Sequence, residues 1–250
     1  MALQEEFERE GNWLFRHRSY LPLLLLGACL GIYVNTIRTQ SHWFMAVLPH
    51  WQWYELGCLC IGMCGAAIRA YTVGYTPSGT SGRNTTGQVA DTLNVTGAYS
   101  IVRHPLYVGN FLMWFSLALL TCNLPFMLFF VLAYWLYYER IMYAEEQFLR
   151  RKFGLCYLQW AARTPAFIPA VGHYVPASTP FSWKKVMIKE KNGIFALFLL
   201  FAVFNGIGAC LTHIMPPNVY LYGAALALGA AYVSIRLWKR SGRSLNVQLP

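Results

Sequence analysis

The sequence predicts an all-α, polytopic membrane protein with about six transmembrane helices. Of its 250 residues, 56% are hydrophobic and only 12% are charged, about half the charged share of a soluble domain. Six apolar stretches occur along the chain, and four of them reach the roughly 20 residues that a membrane-spanning helix needs. The alternating pattern of barrel strands is absent, so helices are the structure that satisfies the backbone inside a bilayer.

The apolar stretches predict the order of the helices. They lie near residues 20–37, 53–75, 106–120, 125–138, 194–213 and 219–238. The third and fourth are shorter, and the connection Thr121–Pro125 between them holds no charge. These two therefore predict a tight helical hairpin. The glycine- and threonine-rich stretch Gly74–Gly87 predicts a loop after the second helix.

Positive charge predicts how the helices are oriented. With six spans, 19 of the 20 Lys and Arg residues fall on one side of the membrane, and Arg38 alone falls on the other. Because cytoplasmic loops carry the excess of positive charge, we expect both termini and the polar connections in the cytoplasm. The net charge of +10 indicates contact with anionic lipid headgroups, since no basic run interleaved with aromatic residues indicates a nucleic-acid partner.

A first polar segment, Tyr99–Gly109, stands at the start of the third apolar stretch. Pro105 favours a helix start there, whose free N–H groups, with Arg103 and His104 beside them, attract an anionic group. Gly109 lets a ligand approach the backbone closely. From the residues alone, an interfacial anchor in which Arg103 and His104 reach lipid headgroups is an equal alternative.

A second polar segment, Glu139–Arg163, begins at the end of the fourth helix. Glu146 and Arg150 are four residues apart, so an ion pair on a solvated helix face is the structural alternative for them. That alternative leaves Glu145 unexplained. The three cysteines between Cys58 and Cys64 lie in an apolar helix, where we expect packing residues and no metal site.

The two polar segments contain motifs in a fixed order and spacing. These are Gly97-Ala-Tyr99, Arg103-His-Pro-Leu-Tyr107-Val-Gly109, Glu145-Glu146, Phe153-Gly154, Tyr157 and Arg163-x-Pro165-x-Phe167. The arrangement resembles the isoprenylcysteine carboxyl methyltransferase family, whose relatives include bacterial phospholipid methyltransferases. The resemblance covers about residues 69–170. It predicts N-terminal transmembrane helices in 1–68, a methyltransferase core in 69–170, and a linker with two additional helices in 171–250.

The resemblance implies S-adenosylmethionine as the cofactor and a methyltransferase activity. It implies that the cofactor-binding residues are Arg103, His104, Tyr107, Gly109, Glu145 and Glu146. The ribose hydroxyls of the cofactor need a carboxylate acceptor, which either of the two glutamates can supply. The sequence leaves open which of them makes the contact.

Methyl transfer mainly requires that donor and acceptor are held together. An anionic acceptor needs a cation to hold it, and Arg163 is the first candidate on the resemblance, with Arg69 the second. An unpaired Arg69 inside a helix costs about 2.5–3.5 kcal/mol on insertion scales. A structural ion pair between Arg69 and a glutamate of the second polar segment is therefore an equal alternative for it.

The acceptor is expected to be a membrane lipid or a lipidated molecule that reaches the site from the bilayer. A prenylcysteine carboxylate, a phospholipid amine and a lipid phosphate all fit. The loop Gly79–Gly87, which carries Arg83, slightly favours an anionic headgroup. The competing function is that of a sterol-reductase-like enzyme with NADPH, which Asn110 and the paired glutamates disfavour. The oligomeric state stays open.

Overall fold

The computed structural model describes residues 2–77, 88–212 and 215–240, and every regular element in these ranges is helical. The α-helices are α1 Leu3–Arg16, α2 Leu21–Arg38, α3 His42–Val47, α4 Trp51–Tyr75, α5 Pro105–Leu120, α6 Leu124–Phe153, α7 Leu155–Ala161, α8 Trp183–Thr212 and α9 Val219–Arg240. Short 3₁₀ turns occupy Leu48–His50, Gly97–Ser100 and Val171–His173. The predicted all-α class is confirmed.

The described helices include four that are long and apolar enough to cross a membrane, namely His42–Tyr75, Leu124–Phe153, Trp183–Thr212 and Val219–Trp238. Two shorter apolar helices, Pro22–Arg38 and Pro105–Leu120, accompany them. All six predicted apolar stretches therefore lie in helices, and the chain is an integral membrane protein.

The α5–α6 hairpin forms where the sequence predicts it. Helix α5 ends at Leu120, and the Thr121 hydroxyl donates to the carbonyl of Ala118 at 2.7 Å. Asn123 then caps α6, because its side-chain oxygen accepts the backbone N–H of Phe126 at 2.9 Å. These two side-chain bonds satisfy backbone groups at the turn, which lets the chain reverse within three residues.

Helix α1 is an amphipathic helix that the apolar stretches of the sequence do not predict. It packs along α6, where Gly11 lies against the carbonyl of Arg140. The Arg140 guanidinium lies 3.5 Å from the ring centre of Phe7, and Arg151 makes two bonds of 2.6 and 3.0 Å to Glu8. This packing brings the end of α1 next to the first polar segment.

Helix α8 begins at Trp183 rather than near residue 194, so the predicted linker is shorter than expected. Its charged first turns include Glu190, which is only 3% exposed. Near its C-terminal end, α8 is held to the N-terminal part of α4, because the side-chain amide of Asn205 donates to the buried Glu55 at 3.0 Å. The predicted division of the chain after residues 68 and 170 stays a prediction.

Candidate active site

Backbone hydrogen bonds hold the first polar segment to the residues directly after the second polar segment. The backbone N–H of Arg103 donates to the carbonyl of Pro165 at 2.8 Å, and that of His104 donates to the carbonyl of Ala166 at 3.2 Å. Pro105 occupies the first position of α5, where a backbone N–H is not needed. The turn before α5 is therefore fixed against the chain that follows α7.

His104 lies between the two neighbouring glutamates of α6. Its Nε2 is 3.0 Å from Glu146 and its Nδ1 is 3.5 Å from Glu145. Burial alone would lower the pKa of His104, but the hydrogen bonds and charges of both glutamates outweigh it and raise that pKa above its usual value. The carboxylates near its two ring nitrogens therefore stabilise the protonated imidazole relative to the neutral form.

The two glutamates have different partners. Glu146 accepts from Arg103 at 2.8 Å as well as from His104, so the structural alternative, an ion pair with Arg150, is not the contact that forms. Glu145 accepts the Tyr107 hydroxyl at 2.6 Å. Glu145 also lines the cavity described next, whereas Glu146 does not.

A cavity of about 390 Å³ opens between the polar segments, within the range of roughly 300–1,000 Å³ typical of ligand pockets. Its walls come from the end of α1 and the turn after it, α4, the loop 88–94, the first polar segment, α5, α6, Trp160 and the start of α8. Residues from both polar segments thus share one cavity with residues near the ends of α1 and α2 and in the first turns of α8.

Positive charge exceeds negative charge in the cavity lining. The cations are Arg18, Arg69, Arg103 and Lys189, and the carboxylates are Glu145 and Glu190. An apolar and aromatic part of the wall, which includes Trp114 and Tyr138, continues toward the membrane-spanning parts of α5 and α6. The cavity is therefore amphipathic and favours an anionic group at its polar end.

Arg69 lies in the cavity wall but pairs with an unexpected residue. Its Nε and Nη2 donate to the two oxygens of Glu190 at 2.7 and 2.8 Å, and its Nη1 donates to Asn110 at 2.8 Å. The predicted alternative, a pair with a glutamate of the second polar segment, is wrong about the partner. Glu190 lies in the first turns of α8, in a stretch that the sequence predicts to be part of a linker.

Besides Glu146, two predicted site residues, Gly109 and Arg163, do not line the cavity. Gly109 packs against α4, because a Cβ there would lie 2.7 Å from the carbonyl oxygen of Gly65. Its missing side chain therefore permits close helix packing rather than close approach of a ligand. Arg163 is exposed, and its Nε donates to the carbonyl of Gln159 at 3.4 Å.

Three charged residues of the lining are absent from the predicted site: Arg18, Lys189 and Glu190. A carboxylate next to an apolar helix can indicate a functional or paired residue. Glu190 was not predicted, because the lysines around it in the sequence are typical of a solvated segment. The predicted anion-binding loop Gly79–Gly87 with Arg83 lies outside the described residues.

Comparison with known proteins identifies the class. The family model for phospholipid methyltransferases matches residues 53–155. Protein-S-isoprenylcysteine O-methyltransferase of Schizosaccharomyces pombe is 31% identical over 163 residues, which cover 64% of this chain and 67% of that protein. No solved structure matches the chain.

Two bacterial relatives are named as metal resistance proteins. The nickel-cobalt-cadmium resistance protein NccN of Alcaligenes xylosoxydans xylosoxydans is 32% identical over 168 residues, 67% of this chain and 72% of that protein. The cobalt-zinc-cadmium resistance protein CzcN of Cupriavidus metallidurans is 33% identical over 127 residues, 51% of this chain and 56% of that protein.

The fold and these matches define a membrane methyltransferase that acts on a lipid-like substrate. The chain belongs to the isoprenylcysteine carboxyl methyltransferase and phospholipid methyltransferase family. None of the relatives named above is a reductase, so they give no support to the competing function.

Proposed function

We propose that the cavity binds S-adenosylmethionine and that the enzyme transfers its methyl group to an oxygen of an anionic, lipid-like acceptor. The observation that carries this proposal is the shared cavity, in which Glu145 and His104 from the two polar segments line the same wall. The roles given to individual residues below are part of the proposal.

The polar groups of the lining fit the cofactor. Glu145 offers a carboxylate to the ribose hydroxyls, and its neighbour His104 fixes it in place. Arg103 offers its Nε–H, which is buried and has no hydrogen-bond partner among the described residues, to the cofactor carboxylate. Tyr99 and Trp160 offer aromatic walls to the adenine ring.

Methyl transfer needs little from the protein beyond holding the donor and the acceptor in the right positions. When bound, the cofactor supplies a methyl group activated by the sulfonium charge; transfer forms a carbon–oxygen bond, breaks the carbon–sulfur bond and leaves a neutral thioether. The carboxylates and cations of this chain hold the reacting groups at the right distance and exclude water. An ionised oxygen acceptor loses no proton, so no general base is assigned.

Charge favours an anionic acceptor over an amine. The lining has four cations and two carboxylates, and the cofactor itself adds a positive sulfonium. A protonated amine would meet this excess of like charge, whereas a carboxylate or phosphate would be attracted to it. The printed name of the Schizosaccharomyces pombe relative, an O-methyltransferase, is consistent with an oxygen acceptor.

Arg69 is the cation that we assign to the acceptor, ahead of Arg163. Its side chain is 15% exposed and lines the cavity. Arg18 and Lys189 add positive charge to the same lining from outside the segment that the family model matches. We further propose that the cavity faces the cytoplasm with both termini, since the excess of Lys and Arg lies on that side.

Equilibrium binding to the purified protein in detergent tests the choice of cofactor. We expect saturable binding of S-adenosylmethionine, because the lining offers partners for its ribose, carboxylate and ring. We expect NADPH not to compete. Preferential binding of NADPH would contradict the proposal. The matched control for protein quality is Glu139→Gln, which changes a partly exposed glutamate outside the cavity lining.

A further inference from the structure

The Arg69–Glu190 pair joins the cavity to a helix outside the segment that the family model matches, which ends at residue 155. Two parallel hydrogen bonds of 2.7 and 2.8 Å connect the guanidinium to the carboxylate. The Glu190 side chain is only 4% exposed, and that of Arg69 is 15% exposed. This is a bidentate, largely buried pair, the geometry in which a guanidinium is most firmly oriented.

We propose that Glu190 is a positioning residue for the methyl acceptor and that it acts through Arg69. The proposal rests on the function proposed above, in which Arg69 holds an anionic acceptor. It assigns to α8 a part in methyl transfer in addition to its part in the membrane.

The hydrogen bonds of Arg69 show that its guanidinium is held in one orientation. A guanidinium has five N–H groups. Glu190 accepts two of them, Asn110 accepts one at 2.8 Å, and the carbonyl of Leu106 accepts one at 3.5 Å. Among the described residues one N–H of this tightly held group has no acceptor, and we assign it to the methyl acceptor. An arginine without Glu190 would lose the contacts that fix the direction of that N–H.

Charge gives Glu190 a second effect. The site needs a cation that attracts the acceptor without stabilising its oxygen so strongly that the oxygen no longer attacks. The carboxylate of Glu190 offsets the charge of Arg69 at less than 3 Å. The pair therefore presents a directed hydrogen-bond donor with little net charge, which suits a nucleophile that must stay reactive.

The packing of α8 against α4 fixes the position of Glu190 along the α4 axis. Helix α8 lies so close to α4 that a Cβ at Gly62 would be 2.9 Å from the side chain of Leu197. The hydrogen bond from Asn205 to Glu55 holds the same two helices together about two turns farther along, on the side away from Glu190. With α8 fixed at both places, the carboxylate of Glu190 stays level with Arg69.

Two variants test this role. Glu190→Gln keeps the volume and removes the charge, and the double variant Arg69→Met with Glu190→Met replaces the pair by apolar side chains of similar length, which tolerates burial. Binding of labelled S-adenosylmethionine is measured on each. Methyl incorporation is then followed in mixed micelles of total membrane lipid at increasing lipid concentration, which yields kcat and apparent KM.

We expect Glu190→Gln to keep donor binding within about twofold and to lower kcat/KM for lipid by about tenfold or more. The double variant should fold, bind the donor and stay defective in transfer. A double variant with wild-type transfer would show that the pair is only structural and would overturn the proposal. Should Glu190→Gln fail to fold, Glu190→Asp, which keeps the charge but is one methylene shorter, is measured in its place with the same expected loss of kcat/KM.

Failure of the underlying function has a different signature. A wild-type protein that does not bind S-adenosylmethionine contradicts the proposed cofactor, whatever the Glu190 variants do. A wild-type protein that binds the donor but labels no lipid overturns the lipid acceptor, and the role of Glu190 with it. Normal donor binding and lipid labelling in the wild type, with unchanged kcat and KM in Glu190→Gln and a defective double variant, overturns the role of Glu190 alone. Unchanged values in both variants overturn the role of Arg69 as well.

Discussion

The Glu145→Gln variant is expected to weaken binding of S-adenosylmethionine by about 10- to 100-fold, since a hydrogen bond to a charged group contributes about 1.5–3 kcal/mol. Glu145 lines the cavity, whereas Glu146 is engaged by Arg103 and His104. We therefore expect a smaller loss from Glu146→Gln. Isothermal titration of each purified variant with the cofactor measures the difference.

The Glu139→Gln variant is the matched control for these two, because it makes the same chemical change at a side chain that is 44% exposed. Its affinity should equal that of the wild type. Equal affinity in Glu145→Gln and the wild type would show that the ribose contact is assigned to the wrong residue. A larger loss from Glu146→Gln than from Glu145→Gln would exchange the two roles.

The second large effect is expected at Arg69. Lysine at this position keeps the charge but cannot make the two parallel bonds to Glu190 and the bond to Asn110 at once. We expect Arg69→Lys to lower kcat/KM for the lipid acceptor by about tenfold or more, with donor affinity within about twofold. Steady-state methylation of total membrane lipid, paired with donor titration, separates the two quantities.

The effect of Arg163→Lys is compared with that of Arg69→Lys, because the family resemblance points to Arg163. The resemblance assigns the acceptor to Arg163, whereas the geometry favours Arg69, because the exposed Arg163 lies outside the cavity lining. We expect the smaller loss from Arg163→Lys. Normal turnover in Arg69→Lys together with a large loss in Arg163→Lys would return the role to Arg163.

Much of the fold could be predicted because hydropathy and turn residues are local signals. The apolar stretches lie within helices, and the uncharged connection after Leu120 and the proline at the start of α5 lie at helix ends, although α6 and α8 extend beyond their apolar stretches. The meeting of the two polar segments was also predictable, since the hairpin between them returns the chain to the same side. Helix α1 was missed, because an amphipathic helix without a long apolar run does not stand out in a hydropathy pattern.

The contacts of single side chains were less predictable. Glu145 and Glu146 are neighbours on a helix, about 100° apart around its axis, so the sequence could not say which one faces the cavity. The partner of Arg69 is 121 residues away in the chain, and only the packing of α8 on α4 brings it there. Gly109 has the expected close contact, but the contacting group is a helix and not a ligand.

The atom that receives the methyl group tests the central proposal most directly. Purified protein is incubated with total membrane lipid and S-adenosylmethionine carrying an isotope-labelled methyl group, and tandem mass spectrometry locates the label. The charge of the cavity predicts a labelled oxygen on a carboxylate or phosphate of a lipid-like molecule. A label found on an amine nitrogen would contradict the assignment of the acceptor and of the cations that hold it.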